Sequence, residues 1–168
     1  PSFYLNTEYN NDWFFIGAGG MFRTTRPEVN STLMHSGAAQ IYSKMSFFDS
    51  LTLRLKGVYG TDMTDHVMMG GYVQTKGNQF LPLASATGWA DLDYKLGGGF
   101  AVGLFGGYAA NLGALTASVE QEKIFARSAN IAGVFHVTPR LTYTINNLKF
   151  GLEVQQSAAM YTSGFQDN

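Results

Sequence analysis

The chain has 168 residues, of which 45% are apolar and only 14% are charged, and its formal net charge is -1. Soluble domains usually carry about 25% charged residues, so Gly, Asn, Ser, Thr and Gln supply much of the polarity here. Scattered Lys and Arg with no basic excess give no basis for nucleic-acid binding. The absence of Cys excludes disulfides and thiolate metal sites, and no apolar run reaches the roughly 18 to 20 residues of a spanning helix.

The length fits a single domain over 1–168, either as a small closed barrel or as part of a larger one. The chain opens at Pro1 without an initiator Met or a signal peptide. From this we expect a processed or partial chain.

Four tight turns are predicted along the chain, and each would join two strands into a hairpin. Asn and Gly supply the positive φ that such turns need. The turns are expected at Asn10-Asn11-Asp12, Phe48-Asp49-Ser50, Gly97-Gly98-Gly99 and Asn146-Asn147. Long polar connections are expected over 24–36, 61–87 and 113–127, with 66–75 strand-like inside the second.

Between the turns, apolar and polar residues alternate with a period of two over segments of about ten residues, which is typical of barrel strands. Residues 50–59 place four apolar side chains on one face, Leu51, Leu53, Leu55 and Tyr59. The opposite face receives Thr52, Arg54, Lys56 and Val58. The segments 136–145 and 148–157 alternate in the same way. The pattern predicts strands with one apolar and one polar face.

About eight strands result, with short turns at one end and long loops at the other, as in outer-membrane barrels. Both chain ends fall on the long-loop side, whereas single-chain outer-membrane barrels place theirs in the periplasm. The predicted fold is therefore all-β, a transmembrane antiparallel β-barrel of which about eight strands are seen and which belongs to a larger barrel.

Periodicity alone does not say which face points outward, so a soluble sandwich or a lipocalin-like barrel stays open as an alternative. Aromatic residues gather near strand ends, for example Trp13, Trp89 and Tyr161, as interfacial girdles do. Placing Arg54 or Lys56 at mid-bilayer would cost about 2 to 4 kcal/mol each. In a membrane, the charged face would therefore line the lumen.

Several segments carry a resemblance to a known family. Residues 57–73, with the sequence GVYGTDMTDHVMMGGYV, and 138–144, with TPRLTYT, are similar to porin-like, DcaP-type barrels of Bacteroidetes-type outer membranes. The likeness also takes in 103–113 and 148–153. The resemblance implies passive transport of small solutes by a homotrimer, and it brings no catalytic motif and no cofactor.

The charged residues of the polar face are the candidate site, because rings of charged side chains set selectivity in wide pores. Turn geometry predicts that Lys44 lies opposite Arg54 and that Arg140 lies opposite Glu153 as an ion pair. The alternative is that the charges only solvate the lumen wall. The predicted lumen-lining residues are Lys44, Arg54, Lys56, Asp91, Asp93, Lys95, Arg140, Lys149 and Glu153.

Other constellations are interpreted as structural. Asp62, Asp65 and His66 are taken as loop polarity and not as a metal or acid/base cluster. No G-x-S-x-G signature surrounds a Ser, and no Lys-Ser or Lys-Thr follows the Gly-rich stretches, so neither a hydrolase nor a phosphate loop is expected.

The leading hypothesis is a general or weakly selective diffusion pore of the bacterial outer membrane. Lys44, Arg54, Lys56, Arg140 and Lys149 would set a mildly anion-attracting field against the acidic residues. Its partners would be membrane lipid, small hydrophilic solutes and further copies of the chain. The alternatives are a barrel that anchors or docks a larger surface or secretion assembly, and a barrel enzyme.

Overall fold

The structure, a computed structural model, describes residues 1–66, 68–75, 79–114, 121–127 and 130–162. This part of the chain is all-β and forms one antiparallel sheet of eleven strands with a short 3₁₀ turn at Thr64–His66. Within these ranges no helix has the length and apolar character needed to cross a membrane. The strands are β1 (Ser2–Asn10), β2 (Phe14–Thr25), β3 (Met34–Phe47), β4 (Leu51–Thr61), β5 (Gly70–Thr75), β6 (Gln79–Gly97), β7 (Phe100–Ala114), β8 (Gln121–Arg127), β9 (Ile131–Ile145), β10 (Leu148–Glu153) and β11 (Gln156–Tyr161).

Eight positions make up the wall of the sheet, in the order β1, β2, β3, β4, β6, β7, β9 and β10. β11 continues the last position, because β10 pairs with 140–145 of β9 and β11 pairs with 131–137 of the same strand. The predicted count of about eight therefore holds for the wall. β1 and the β10 and β11 pair are its two edges, and the described strands at these edges do not pair with each other, so the sheet is not closed into a barrel.

The four predicted turns are confirmed. Phe48 and Asp49 adopt φ of 50° and 53°, and Asn146 adopts 51°, as tight hairpin turns require. In the first turn the Asn11 side chain accepts hydrogen bonds from the backbone nitrogens of Trp13 (3.2 Å) and Phe14 (2.8 Å). Local side-chain and backbone chemistry is therefore enough to place the ends of the wall strands.

Two of the three long connections contain more strand than predicted. In the second, the strand-like stretch predicted over 66–75 is present as β5 over Gly70–Thr75, and β6 begins at Gln79, eight residues before the predicted end of the loop. The third contains β8. β5 pairs with the first residues of β6 on one side and with β8 on the other, which makes a three-stranded extension of the wall. Most fully buried apolar side chains lie at this end, including Met63, Met69, Val73, Phe80, Leu83 and Ala84.

The two faces of the wall differ in chemistry. We call the face that carries Arg54, Asp91 and Arg140 the inner face and the opposite one the outer face. On every wall position the outer face bears large apolar side chains that are 37% to 78% exposed. Among them are Phe3, Leu5, Phe22, Ile41, Leu55, Leu92, Leu104, Phe135, Leu141, Phe150 and Leu152. The wall thus shows apolar residues outward and gathers its charges on the inner face.

Candidate functional site

Four of the predicted lumen residues form one ion-pair cluster on the inner face. Pairing of β4 with β6 sets Arg54 directly opposite Asp91, and Asp93 follows one inner-face position further along β6. Arg140 comes from β9, two strands away from β6. We call Arg54, Asp91, Asp93 and Arg140 the charged ring.

In the charged ring, each arginine contacts both carboxylates. Arg54 Nη1 lies 3.0 Å from Asp91 Oδ2 and 2.6 Å from Asp93 Oδ2, with hydrogen-bond geometry at both. Arg140 Nη2 lies 2.7 Å from Asp93 Oδ1, and its Nε donates to the same oxygen at 3.2 Å. Because two cations face two anions, the ring is neutral as a unit.

Asp91 is the most enclosed carboxylate of the ring, with a side chain 13% exposed. Its Oδ1 lies 2.7 Å from Arg140 Nη2, yet the atom has no partner with hydrogen-bond geometry. The two observations agree if the guanidinium hydrogen points at Asp93 and leaves Asp91 Oδ1 with an electrostatic contact only. The oxygen is buried, so the adjacent guanidinium and not solvent compensates its charge.

Arg140 reaches β6 because the strand between them has a glycine at the crossing point. Gly103 of β7 pairs with Asp93 on one side and with Arg140 on the other. A Cβ at Gly103 would lie 2.4 Å from Arg140 Nε and 2.8 Å from its Cγ. The glycine thus leaves room for the arginine to lie across the backbone of β7.

The registers predicted from the turns are confirmed: Lys44 pairs with Arg54, and Arg140 pairs with Glu153. The predicted Arg140 and Glu153 ion pair is wrong, because Arg140 instead contacts Asp91 and Asp93. Two partly buried carboxylates across Gly103 offer the guanidinium more contacts than the single exposed carboxylate of Glu153. They also compensate the like-charge pairing of Lys44 with Arg54.

Lys149 and Glu153 border the same depression as the charged ring. This open depression has a volume of about 440 Å³ and includes Thr142 and Gly151 in its lining. Lys149 and Glu153 are exposed, and within the described ranges neither makes an ion pair. Six of the nine predicted residues therefore share one place on the inner face.

Lys44 and Lys56 lie beside the ring. With Trp89 and Arg54 they line a neighbouring depression of about 370 Å³. In the part of the chain that the structure describes, neither lysine has an ion-pair partner. Lys95 lies apart, near the end of β6 by the Gly97 to Gly99 turn, and borders none of the depressions described above. Like Lys149, Lys44 and Lys56 are therefore cations near the ring that no carboxylate of the described residues compensates.

Two more bridges of the same design join β1 to β3, and neither is predicted from the sequence. Tyr42 Oη donates to Glu8 Oε1 at 2.6 Å across Gly17 of β2. A Cβ at Gly17 would lie 2.3 Å from the Tyr42 ring. Next to this bridge, Gln40 Nε2 donates to Asn6 Oδ1 at 3.4 Å across Gly19. The signal available in the sequence is that glycine recurs at alternate positions of β2, at Gly17 and Gly19, between polar residues of β1 and β3.

A further ion-pair group folds the 3₁₀ turn toward the inner face. Arg23 of β2 pairs with Asp62 and Asp65, and its Nη2 also donates to the backbone oxygen of Asp62 at 2.8 Å. Asp62 is 3% exposed. Asp62 and Asp65 are interpreted from the sequence as loop polarity, and the structure adds that both anchor the loop to β2. Burial raises the pKa of Asp62, and the attraction of Arg23 opposes that rise without cancelling it.

The arrangement provides fixed charges and hydrogen-bonding groups along a polar surface. Among the described residues, no three His, Cys, Asp or Glu side chains are grouped so that they could hold a metal ion. The chain matches no protein-family model, no curated protein and no solved structure. The resemblance to porin-like, DcaP-type barrels therefore stays a prediction from the residues.

Proposed function

We propose that this sheet is part of the wall of a transmembrane β-barrel in a bacterial outer membrane, and that the barrel is a pore for passive diffusion of small hydrophilic solutes. One observation carries the proposal. The outer face exposes large apolar side chains on all eight wall positions, while the charged ring lies on the inner face.

A protein folded in water arranges its faces the other way. Each exposed outer-face side chain forgoes hydrophobic stabilisation of about 25 cal/mol per Å² of apolar surface. Contiguous exposed apolar patches of more than a few hundred Å² are rare on soluble monomers and mark interaction or membrane surfaces. Lipid around the outer face removes this cost, and water in the lumen solvates the exposed parts of Lys44, Lys149 and Glu153.

The proposed barrel is larger than the wall seen here. Both edges of the described sheet carry strands with unpaired backbone groups, and such groups cost several kcal/mol each inside a lipid bilayer. In a membrane these groups must be paired, and we propose that further strands pair with β1 and with the edge formed by β10 and β11. Assembly as a homotrimer is part of the proposal, and light scattering of the detergent-solubilised protein tests it.

Membrane insertion is tested by comparing two arginine substitutions. Leu104 is an outer-face residue that is 50% exposed, and Thr87 is an inner-face residue of β6. In lipid, Leu104→Arg costs about 2 to 4 kcal/mol, whereas in water the exposed position tolerates it. We expect Leu104→Arg to lower the yield of refolding into lipid vesicles while Thr87→Arg refolds normally. Equal yields for both variants would contradict the membrane assignment.

Pore function is tested by conductance in planar bilayers. A water-filled lumen gives stable steps whose current is proportional to voltage. A protein that inserts and stays silent would overturn the pore and favour an anchoring or docking barrel.

A further inference from the structure

The charges that border the 440 Å³ depression differ in how far they are already compensated. In the charged ring, each arginine contacts both carboxylates, so the four groups cancel. Lys149 and Glu153 are exposed and make no ion pair within the described residues. A solute in the depression therefore meets one free cation and one free anion.

The free charges lie at opposite ends of the depression. Lys149 and Glu153 are four residues apart on β10 and share its inner face, which separates their Cα atoms by roughly 13 Å. Between them the floor of the depression is made of small residues, because Gly151 lies between Lys149 and Glu153 and pairs with Thr142 of β9. The depression thus presents a fixed dipole along β10 over a floor that leaves space for a solute.

The charged ring adds a second polar feature on the side away from β10. Asp91 Oδ1 is buried and has no hydrogen-bond partner among the described residues. Because this oxygen is enclosed beside Arg140, a solute does not reach it. The exposed part of Arg54, whose side chain is 37% exposed, offers N–H groups at the same border.

We propose that the depression is a subsite for small zwitterionic solutes of the amino-acid and dipeptide type. The solute carboxylate lies toward Lys149, and the solute ammonium lies toward Glu153. A solute with a single charge gains one attraction and meets one repulsion, and a neutral solute gains neither. The subsite rests on the pore function proposed above and names the class of solute that the pore favours.

The test compares glycylglycine with N-acetylglycinamide, a neutral molecule of similar size, in swelling assays on vesicles that contain the full-length protein. Exposed ion pairs are weak, so we expect glycylglycine to enter about fivefold faster after correction for size. Lys149→Gln and Glu153→Gln should each reduce this preference. Lys123→Gln is the matched control, since it removes a lysine outside the depression.

A charge-exchange variant separates a dipole effect from altered folding. In Lys149→Glu combined with Glu153→Lys, the dipole is reversed but kept, so the glycylglycine preference should persist. Equal entry of both solutes into wild-type vesicles, or loss of preference in the exchange variant, overturns the subsite.

Binding in detergent distinguishes failure of the subsite from failure of the pore. Calorimetric titration of glycylglycine into the solubilised protein requires no conduction. Binding that is lost in Lys149→Gln, together with vesicles that admit no solute, keeps the subsite and removes the pore. Vesicles that admit both solutes equally, with no calorimetric binding, keep the pore and remove the subsite.

Discussion

Arg140 on β9 contacts Asp93 on β6 across the backbone of β7, with 2.7 Å between Nη2 and Oδ1. The residue beneath the arginine is Gly103, which pairs with both of them in register. The same design recurs where Tyr42 meets Glu8 across Gly17. Glycine on a central strand therefore lets polar side chains two strands apart meet on the inner face.

Replacing Gly103 with Ala should break the charged ring. The new Cβ would lie 2.4 Å from Arg140 Nε, so the guanidinium must move away from Asp93. We expect a loss of about 1 kcal/mol in the free energy of unfolding, because the partners are partly exposed. Urea titration of the refolded protein measures it. Gly106→Ala on the outer face of β7 is the control, since a Cβ there meets nothing within 4 Å.

Removing the Tyr42 hydroxyl should loosen β1, the edge strand that carries Glu8. Tyr42→Phe loses a hydrogen bond of 2.6 Å between exposed side chains, which is worth about 1 kcal/mol at most. We expect amide hydrogens of β1 to exchange several times faster than in the wild type, as measured by mass spectrometry. Tyr59→Phe, an exposed outer-face change, should leave them unchanged. Equal exchange in all three proteins would show that the bridge does not hold β1.

The turns and the two faces of the wall could be predicted because their causes are local. Asn146 and Gly98 favour positive φ by their own chemistry, and alternation along 51–59 follows from the strand period. Once the turns are placed, the pairing of Lys44 with Arg54 follows by counting residues.

The partners of Arg140 and Arg23 could not be predicted in this way. Arg140 finds Asp93 two strands away, which depends on the missing side chain at Gly103. Arg23 finds Asp62 39 residues along the chain, where a loop folds back on β2. The sequence predicts a loop over β8 because these residues belong to a polar connection, and the strand conformation depends on pairing with β5.

Asp62 should give the folding stability a specific pH dependence. Burial raises its pKa in the folded protein above the ordinary value of about 3.9. The folded state then binds this proton more tightly than the unfolded chain does, so its contribution is most favourable below the unfolded pKa. That contribution is lost as pH rises through the folded pKa. Asp62→Asn should remove this decline, so the free energy of unfolding should change less as pH rises through the folded pKa of Asp62.

The control for this pH dependence is Asp12→Asn at the exposed first turn. It should keep the wild-type decline in stability as pH rises above the ordinary aspartate value. If Asp62→Asn also keeps that decline, burial of Asp62 is not its source.

Ion selectivity should depend both on the free lysines and on the paired arginine of the inner face. Lys44→Gln with Lys56→Gln removes two cations that have no ion-pair partner in the described residues, so the reversal potential in a salt gradient should shift toward cation preference. Arg54→Gln removes one cation and also frees Asp91 and Asp93 from their contacts with it. Its shift per charge removed should therefore be at least as large.

Lys123→Gln, outside the inner-face depressions, should leave the reversal potential unchanged. Shifts of equal size in all three variants would mean that the inner-face charges do not set the selectivity, and no shift in the first two would place these residues away from the ion path.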